Sequence, residues 1–321
     1  MTGSKDQVPE WCESVSLECP VEGTVYGYYP SLGWNVFFAA AFGLAFILQV
    51  GLGIRYKTWT YMIGVGLGCL GELIGYIGRI QMHNNPYDNN GFTIQIVLLI
   101  FSPAFLAAGI YLTLKHIVIN FGEQWSRLKP NWYTYIFIAC DITSLVLQSA
   151  GGALAATADD NDQKALDAGT DIMIGGIIFQ VVVLAIFAAI VLEYSFRTYR
   201  RRSQLSPEAL SLWSSTKFRL FVGAVVVAYF GILIRCIYRI PELMGGWAND
   251  IMRNEPEFIV LEGVMILVTV VAQTAFHPGW FFPALGGTLF NKKKGGAKSM
   301  SESETEMAAM ALDLQPVFTF P

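Results

Sequence analysis

Residues 217–239, KFRLFVGAVVVAYFGILIRCIYR, form a stretch that is apolar enough to cross a membrane and yet carries two arginines. A helix of about 20 apolar residues spans the hydrocarbon core of a bilayer. Arg235 and Arg239 are four residues apart, so on a helix they share one face. Insertion scales assign a central arginine a cost of roughly 2.5–3.5 kcal/mol, so such residues persist mainly where they find partners or water. The stretch therefore predicts a membrane helix whose arginines meet polar groups from other helices.

The composition of the whole chain agrees with a membrane protein. Hydrophobic residues make up 54% of the 321 residues and charged residues only 14%, with a mean hydropathy of +0.46. Soluble domains carry about 25% charged residues, so the composition excludes an ordinary soluble protein. No basic run with interleaved aromatic side chains occurs, and we therefore expect no nucleic-acid partner.

Seven apolar stretches predict an all-α membrane protein, a bundle of seven transmembrane helices. A polar, acidic segment, residues 1–30, precedes the bundle and shows no cleavable signal-peptide pattern. The transmembrane domain covers 31–285, and the Ser-, Glu- and Met-rich tail, 286–321, is predicted to be disordered. The predicted spans are 32–54, 59–80, 92–119, 132–156, 172–192, 217–240 and 258–282.

The distribution of basic residues predicts the orientation of the bundle. Fifteen Lys and Arg residues lie in the first, third and fifth links and the tail, against three in the N-terminal segment and the even links. Because basic residues near span ends stay in the cytoplasm, we expect an extracellular N-terminus and a cytoplasmic C-terminus. Cys12 and Cys19 then face the oxidising side, which favours a disulfide between them over free thiols.

Ionisable residues inside the predicted spans mark the candidate site. Besides the two arginines, Glu72 and Arg79 share a face of the second span, and Asp141 shares one with Gln148 in the fourth. With Glu262 in the last span, the interior holds three acids and three bases, which would balance. These residues either pair around a hydrated cavity or act as internal ion pairs that fix helix packing. Both interpretations are open and they are compatible.

Several other chemistries find little support in the sequence. No GxxxxGK[ST] phosphate loop and no GxSxG nucleophile motif is present, so we expect no enzyme activity and no cofactor. A catalytic zinc needs about three protein ligands, and His116 and His277, at the inner span ends, are only weak candidates for a haem or metal. The glycine face of span two indicates close helix packing and would also allow a homodimer.

Motifs in six of the spans, the second to the seventh, resemble the fungal RTA-like family of lipid-translocating exporters. They are GELIGYIGR, SPAFLAAGIYLTLKHIV, CDITSLVLQSAGG, GGIIFQVVVLAIF, and IRCIYRIPELMGG followed by EGVMILVTVVAQTAFHPG, and the match covers roughly residues 30–285. The resemblance implies a multi-pass plasma-membrane protein that moves or binds amphipathic molecules such as sphingoid long-chain bases, sterol-like compounds or porphyrins. The polar positions of the motifs are Glu72, Tyr76, Arg79, Asp141, Gln148, Arg235, Arg239 and Glu262.

Two functions follow as hypotheses. The first is an exporter that confers resistance to toxic amphiphiles, in which the polar head crosses at an interior site while the tail stays among the helices and membrane lipids. A cationic head would favour the acids and an anionic head the arginines. The driving force is either downhill exchange or proton coupling through Asp141 or Glu262. The second is a seven-span lipid receptor that signals through the basic inner loop 196–219 and the tail. A scaffold with a purely structural charge network would show neither lipid movement nor saturable binding.

Overall fold

A computed structural model describes residues 12–157, 163–246 and 249–281. Seven helices in this part of the chain are long and apolar enough to cross a membrane, which confirms the predicted seven-helix fold class. A short helix, α6 (Pro207–Ser214), lies between the fifth and sixth of them. The long helices are α1 (Leu32–Tyr56), α2 (Trp59–Asn84), α3 (Asn89–Phe121), α4 (Pro130–Ala156), α5 (Gln163–Arg200), α7 (Thr216–Met244) and α8 (Glu255–Phe281).

Local sequence signals fix several helix ends. The Asp88 carboxylate accepts a hydrogen bond from the Asn90 N–H and so caps α3. Pro130 stands in the first turn of α4, where its missing N–H costs nothing. Ser206 caps α6 by accepting from the Ala209 N–H. Pro103 lies inside α3, which continues as one helix on both sides of it.

The helices extend beyond most of the predicted spans because a helix needs apolar residues only where it meets hydrocarbon. α5 has 38 residues, about 57 Å at the usual rise, whereas the hydrocarbon core is about 30 Å thick. Its polar ends therefore continue the helix into the interfacial regions. α7 likewise runs past the predicted end at residue 240 and includes Glu242, which lies beyond the predicted span. The predicted disordered tail, 286–321, lies outside the described residues.

Consecutive helices from α1 to α5 pack side by side, while α8 returns to α1 and α7 packs against α3, α5 and α8. Glycines allow the closest approaches. A Cβ on Gly68 would lie 2.7 Å from Leu106, and one on Gly78 would lie 2.8 Å from the carbonyl oxygen of Gly91. The glycine face of α2, a candidate dimer surface in the sequence, thus packs against α3 of the same chain.

The bundle has an apolar surface and a partly polar interior. Large apolar side chains such as Leu44 and Ile47 on α1 are 60% and 67% exposed, as expected for a surface that faces lipid. Inside, Phe38, Phe42 and Tyr76 stack on one another, with ring centroids 4.9–6.3 Å apart. The buried charged side chains lie beside this aromatic stack.

The segment 12–31 covers one end of the bundle, here called the N-terminal face. Cys12 and Cys19 form a disulfide, with Cα atoms 5.8 Å apart, and Cys19 is buried. Asn85, between α2 and α3, donates to the Glu13 carbonyl. Arg253, between α7 and α8, donates to the Glu22 carbonyl. Contacts to two separate interhelical links hold the segment across this face.

Candidate functional site

Arg79 is completely buried near the end of α2, beneath the segment 12–31. Its guanidinium lies 3.8 Å from the centroid of the Phe258 ring and 4.9 Å from that of Tyr26. Its Nη2 atom donates to the Tyr28 hydroxyl at 2.7 Å and lies 3.9 Å from Glu255. Aromatic faces attract cations, so the two rings stabilise the Arg79 charge together with the Tyr28 hydroxyl and the more distant Glu255 carboxylate.

The two tyrosines that contact Arg79 belong to the segment outside the membrane-spanning helices. Burial raises the pKa of Tyr28 to about 12, although the neighbouring Arg79 guanidinium acts in the opposite direction. Burial also raises the pKa of Tyr26, whose hydroxyl accepts a hydrogen bond from Gln95 at 2.7 Å. Both hydroxyls therefore stay protonated near neutral pH.

Arg235 and Glu262 form a buried ion pair between α7 and α8. Glu262 Oε1 accepts from Arg235 Nη2 at 2.6 Å and from Nε at 3.0 Å. Arg235 Nη2 also donates to the Leu99 carbonyl of α3. The two side chains are 3% and 0% exposed, so each depends on the other for compensation of its charge.

Arg239 lies one turn further along α7 and joins two acids. Its Nη1 atom is 2.7 Å from Glu242 Oε2, and its Nε atom is 3.7 Å from Glu262 Oε2. Glu242 is 1% exposed. Sequence reasoning missed Glu242 as a site residue, although its position three residues after Arg239 places both on one face of the helix.

Glu262 stands on an unusual turn of α8. Residues Phe258–Val264 form a π-helical segment, in which each turn holds more residues than an α-helix, and such segments frequently occur at functional sites. Gly263 follows Glu262, and a Cβ there would lie 2.6 Å from the Phe38 ring and 2.9 Å from the Tyr76 hydroxyl. The segment therefore packs closely against α1 and α2 at Gly263, and its Glu262 side chain faces α7.

Glu72 faces the same group of charges from α2. It is 0% exposed and lies within electrostatic range of Glu262, Arg235 and Arg239. Among the described residues, neither of its carboxylate oxygens has a hydrogen-bond partner of normal geometry, and the same holds for the Tyr76 hydroxyl one turn away. We call this set the ionic cluster: Glu72, Arg79, Arg235, Arg239, Glu242 and Glu262.

Asp141 belongs to a second set, the Asp141 cluster: Tyr111, Asp141, Ser144, Gln148 and Gln180, all buried. The Tyr111 hydroxyl of α3 is near enough to interact with the Asp141 carboxylate, although no hydrogen bond of normal geometry joins them. Gln148 donates to Gln180 of α5 at 3.3 Å. Gly176 permits this approach, since a Cβ there would lie 2.8 Å from Gln148.

The structure changes the charge balance that the sequence suggested. The ionic cluster reaches three acids and three bases through Glu242, without Asp141. Within the described part of the chain no arginine, lysine or histidine pairs with Asp141. Cys236 is in electrostatic range of Asp141, Arg235 and Glu262, which places it between the two clusters. The expectation of one balanced set of six charges is therefore wrong.

A groove of about 610 Å³ opens on the bundle surface between α7 and α8, toward the end opposite the N-terminal face. Its walls are mostly apolar, and Arg219 stands beside them at the start of α7. The lining residues are Thr216, Arg219, Leu220, Gly223, Ala224, Val227, Ala272 and Phe276. A hydrocarbon chain fits the chemistry of these walls.

The two histidines proposed as weak haem or metal candidates are in different surroundings. His277 is buried, 5.3 Å from the Tyr61 ring between centroids, and its Nδ1 accepts from the Gly279 N–H. His116 has a buried Nδ1 without a hydrogen-bond partner in the described ranges. In those ranges no group of three or more His, Cys, Asp or Glu side chains is arranged to hold a metal ion.

The residues thus assembled define a multi-pass membrane protein with two buried polar clusters inside an apolar bundle. Comparison with known sequences identifies the family within this class of membrane proteins. Residues 65–285 match the family described as RTA1 like protein, and the chain belongs to that family.

Relatives from Saccharomyces cerevisiae share much of the chain. The sphingoid long-chain base transporter RSB1 is 30% identical over 283 residues, which cover 80% of this chain and 74% of the relative. Protoporphyrin uptake protein 1 is 30% identical over 217 residues, 67% of each chain. Protein RTM1 is 26% identical over 250 residues, 76% of each. No solved structure is significantly similar to this chain.

Proposed function

We propose that this protein translocates amphipathic lipid-like molecules across the plasma membrane and acts as an exporter that confers resistance to toxic amphiphiles. Two relatives named for the transport of a sphingoid base and the uptake of a porphyrin support the substrate class. The observation that carries the proposal is the presence in a membrane bundle of two buried carboxylates, Glu72 and Asp141, that make no hydrogen bond of normal geometry within the described residues, with the neutral Ser102 and Tyr111 hydroxyls, respectively, near them. Such carboxylates are expensive in hydrocarbon and mark transport pathways.

The proposed orientation has the N-terminal face outside the cell. The excess of basic residues in the opposite links supports it, and the disulfide between Cys12 and Cys19 on this face is compatible with an oxidising compartment. The groove between α7 and α8 then opens toward the inner leaflet. The apolar tail of the substrate would enter there while its head remains at the membrane surface.

Translocation requires the head to exchange its hydration for fixed partners inside the bundle. The Asp141 cluster, with Gln148 and Gln180, would receive the head near mid-membrane. The ionic cluster, with Glu72 and the Arg235–Glu262 pair, would receive it next. Each transfer replaces water with oriented polar groups, which lowers the barrier for moving a polar head through hydrocarbon. No covalent chemistry is involved.

The experiment is reconstitution of the purified protein in liposomes with a fluorescent sphingoid base in one leaflet. Fluorescence quenching from outside follows movement between leaflets. We expect the wild-type protein to move the lipid and the double variant Asp141→Asn, Arg235→Gln to lose at least tenfold in rate. Ser149→Ala is the matched control, because Ser149 is exposed and stands next to Gln148. Equal rates in the double variant and the control would refute the proposed pathway.

The receptor hypothesis is tested by the same assay, because a receptor would bind the lipid without moving it. The inner loop that would carry the signal is partly anchored to the bundle. Leu205 and Ala209 of this loop are buried in the core, while Arg201 and Arg202 are exposed. Saturable lipid binding without lipid movement in liposomes would refute the exporter proposal and support the receptor hypothesis.

A further inference from the structure

The arginines of the bundle are already matched by acids. Arg235 is held by Glu262 and the Leu99 carbonyl, and Arg239 by Glu242 and Glu262. An anionic head group would have to displace a carboxylate at less than about 4 Å from each of these guanidinium groups. The nitrogen atoms of Arg79 and Arg239 that lack hydrogen-bond partners suit neutral acceptors, such as hydroxyls or water, because the local charge is already compensated.

Asp141 presents the opposite situation. It is 3% exposed, neither carboxylate oxygen makes a hydrogen bond of normal geometry among the described residues, and no cationic side chain there compensates it. The titratable groups that face it are neutral in their usual state: Tyr111 from α3, Cys140 from α4 and Cys236 from α7. A buried carboxylate in such surroundings either holds a proton or pairs with a cation that enters from outside the protein.

The neighbours of Asp141 suit an ammonium group with N–H donors. The Tyr111 oxygen is a hydrogen-bond acceptor close to the carboxylate, and Gln148, which is bonded to Gln180, offers a further side-chain carbonyl oxygen two turns along the same face of α4. Ser144 already donates its hydroxyl to the Asp141 backbone carbonyl at 2.7 Å. A primary ammonium has three donors to share among such acceptors, whereas an alcohol has one and a carboxylate has none.

We infer that the Asp141 cluster binds the protonated amine of an amphiphile and so selects cationic head groups over neutral and anionic ones. The inference rests on the proposed function and narrows its substrate class. The amine replaces a proton or water at Asp141. The ionic cluster has equal numbers of acids and bases, so it lets the head group move through without adding a net charge.

The test uses full-length protein in phosphatidylcholine nanodiscs, titrated at pH 7 with dodecylamine, dodecanol and dodecanoate. These probes share one tail and differ in head-group charge, and empty nanodiscs correct for partitioning into lipid. We expect dodecylamine to bind at least tenfold more tightly than either other probe. Asp141→Asn should remove this preference, Asp141→Glu should retain most of it, and Ser149→Ala should leave it unchanged.

Equal affinity of the wild-type protein for the three probes would overturn the inference without reference to any variant. Retention of the full preference in a folded Asp141→Asn protein would overturn it as well. Both results are distinct from failure of the proposed function. If liposomes containing the protein move amphiphiles of any charge at the same rate, the result supports the proposed exporter function and refutes amine selection. If they move no amphiphile, the result refutes the exporter function.

Discussion

The ionic cluster and the Asp141 cluster lie in the same bundle, yet they treat buried charge differently. In the ionic cluster Arg235 and Arg239 pair with carboxylates of the cluster, and Arg79 lies 3.9 Å from Glu255. Arg235 also joins α7 to α8 through Glu262 and to α3 through the Leu99 carbonyl. In the Asp141 cluster an acid faces neutral dipoles. The comparison indicates that buried charge fixes the architecture where it is internally compensated, and is available to a ligand where it is not.

The largest expected effect is the loss of the carboxylate shared by two arginines. Glu262→Gln leaves Arg235 without its partner and weakens the compensation of Arg239, so the free energy of unfolding should fall by about 3–5 kcal/mol. Thermal unfolding of the purified protein in mild detergent measures this. The double variant Arg235→Met, Glu262→Leu should recover much of the loss, because it removes both charges of the pair. A melting temperature unaffected by Glu262→Gln would mean that the ionic cluster is not structural.

Removal of the disulfide should act on the N-terminal face alone. The cysteines are seven residues apart, and closing so short a loop contributes roughly 2–3 kcal/mol to the order of the segment. Cys12→Ser, Cys19→Ser should therefore increase proteolysis within 12–31, measured as fragment formation over time. Dodecylamine binding should stay unchanged, because the disulfide lies on the N-terminal face, away from the Asp141 cluster. A parallel loss of amine binding would show that the N-terminal face and the Asp141 cluster are coupled.

Arg79→Lys tests whether aromatic rings, rather than carboxylates, stabilise the buried positive charge at this position. Lysine keeps the charge but cannot stack its planar group between Tyr26 and Phe258. We expect a loss of about 1 kcal/mol in stability, the order of one cation–π contact. Arg55→Lys serves as the control because Arg55 is exposed near the end of α1. If both substitutions have the same effect on the melting temperature, the aromatic contacts contribute nothing measurable.

The smallest expected change in stability belongs to Asp141→Asn. This substitution replaces a buried ionisable group that has no cationic partner among the described residues, so the free energy of unfolding should stay within about 1 kcal/mol of the wild-type value or rise. Its transport rate should fall nonetheless. A destabilisation as large as that of Glu262→Gln would mean that Asp141 has a cationic partner in the folded bundle.

Much of the fold could be predicted because apolar runs of sufficient length have few alternatives in a membrane. Helix ends could not, since α5 continues through polar residues once it leaves hydrocarbon. For the site, spacing along one helix placed Arg235 and Arg239 on a shared face but could not identify the facing helix. Glu242 was missed because it follows the apolar run, and Tyr28 because nothing in its local sequence indicates a contact with Arg79.

The π-helical segment Phe258–Val264 has a consequence for the evolution of this bundle. Its wider turn accommodates an added residue, so loss of a single codon there would restore the regular α pitch. Side chains on the preceding side would then rotate by about 100° relative to those that follow. Glu262 could no longer face Arg235 while Gly263 kept its place against Phe38. The length of this turn, and not only its residue types, is therefore expected to be under selection.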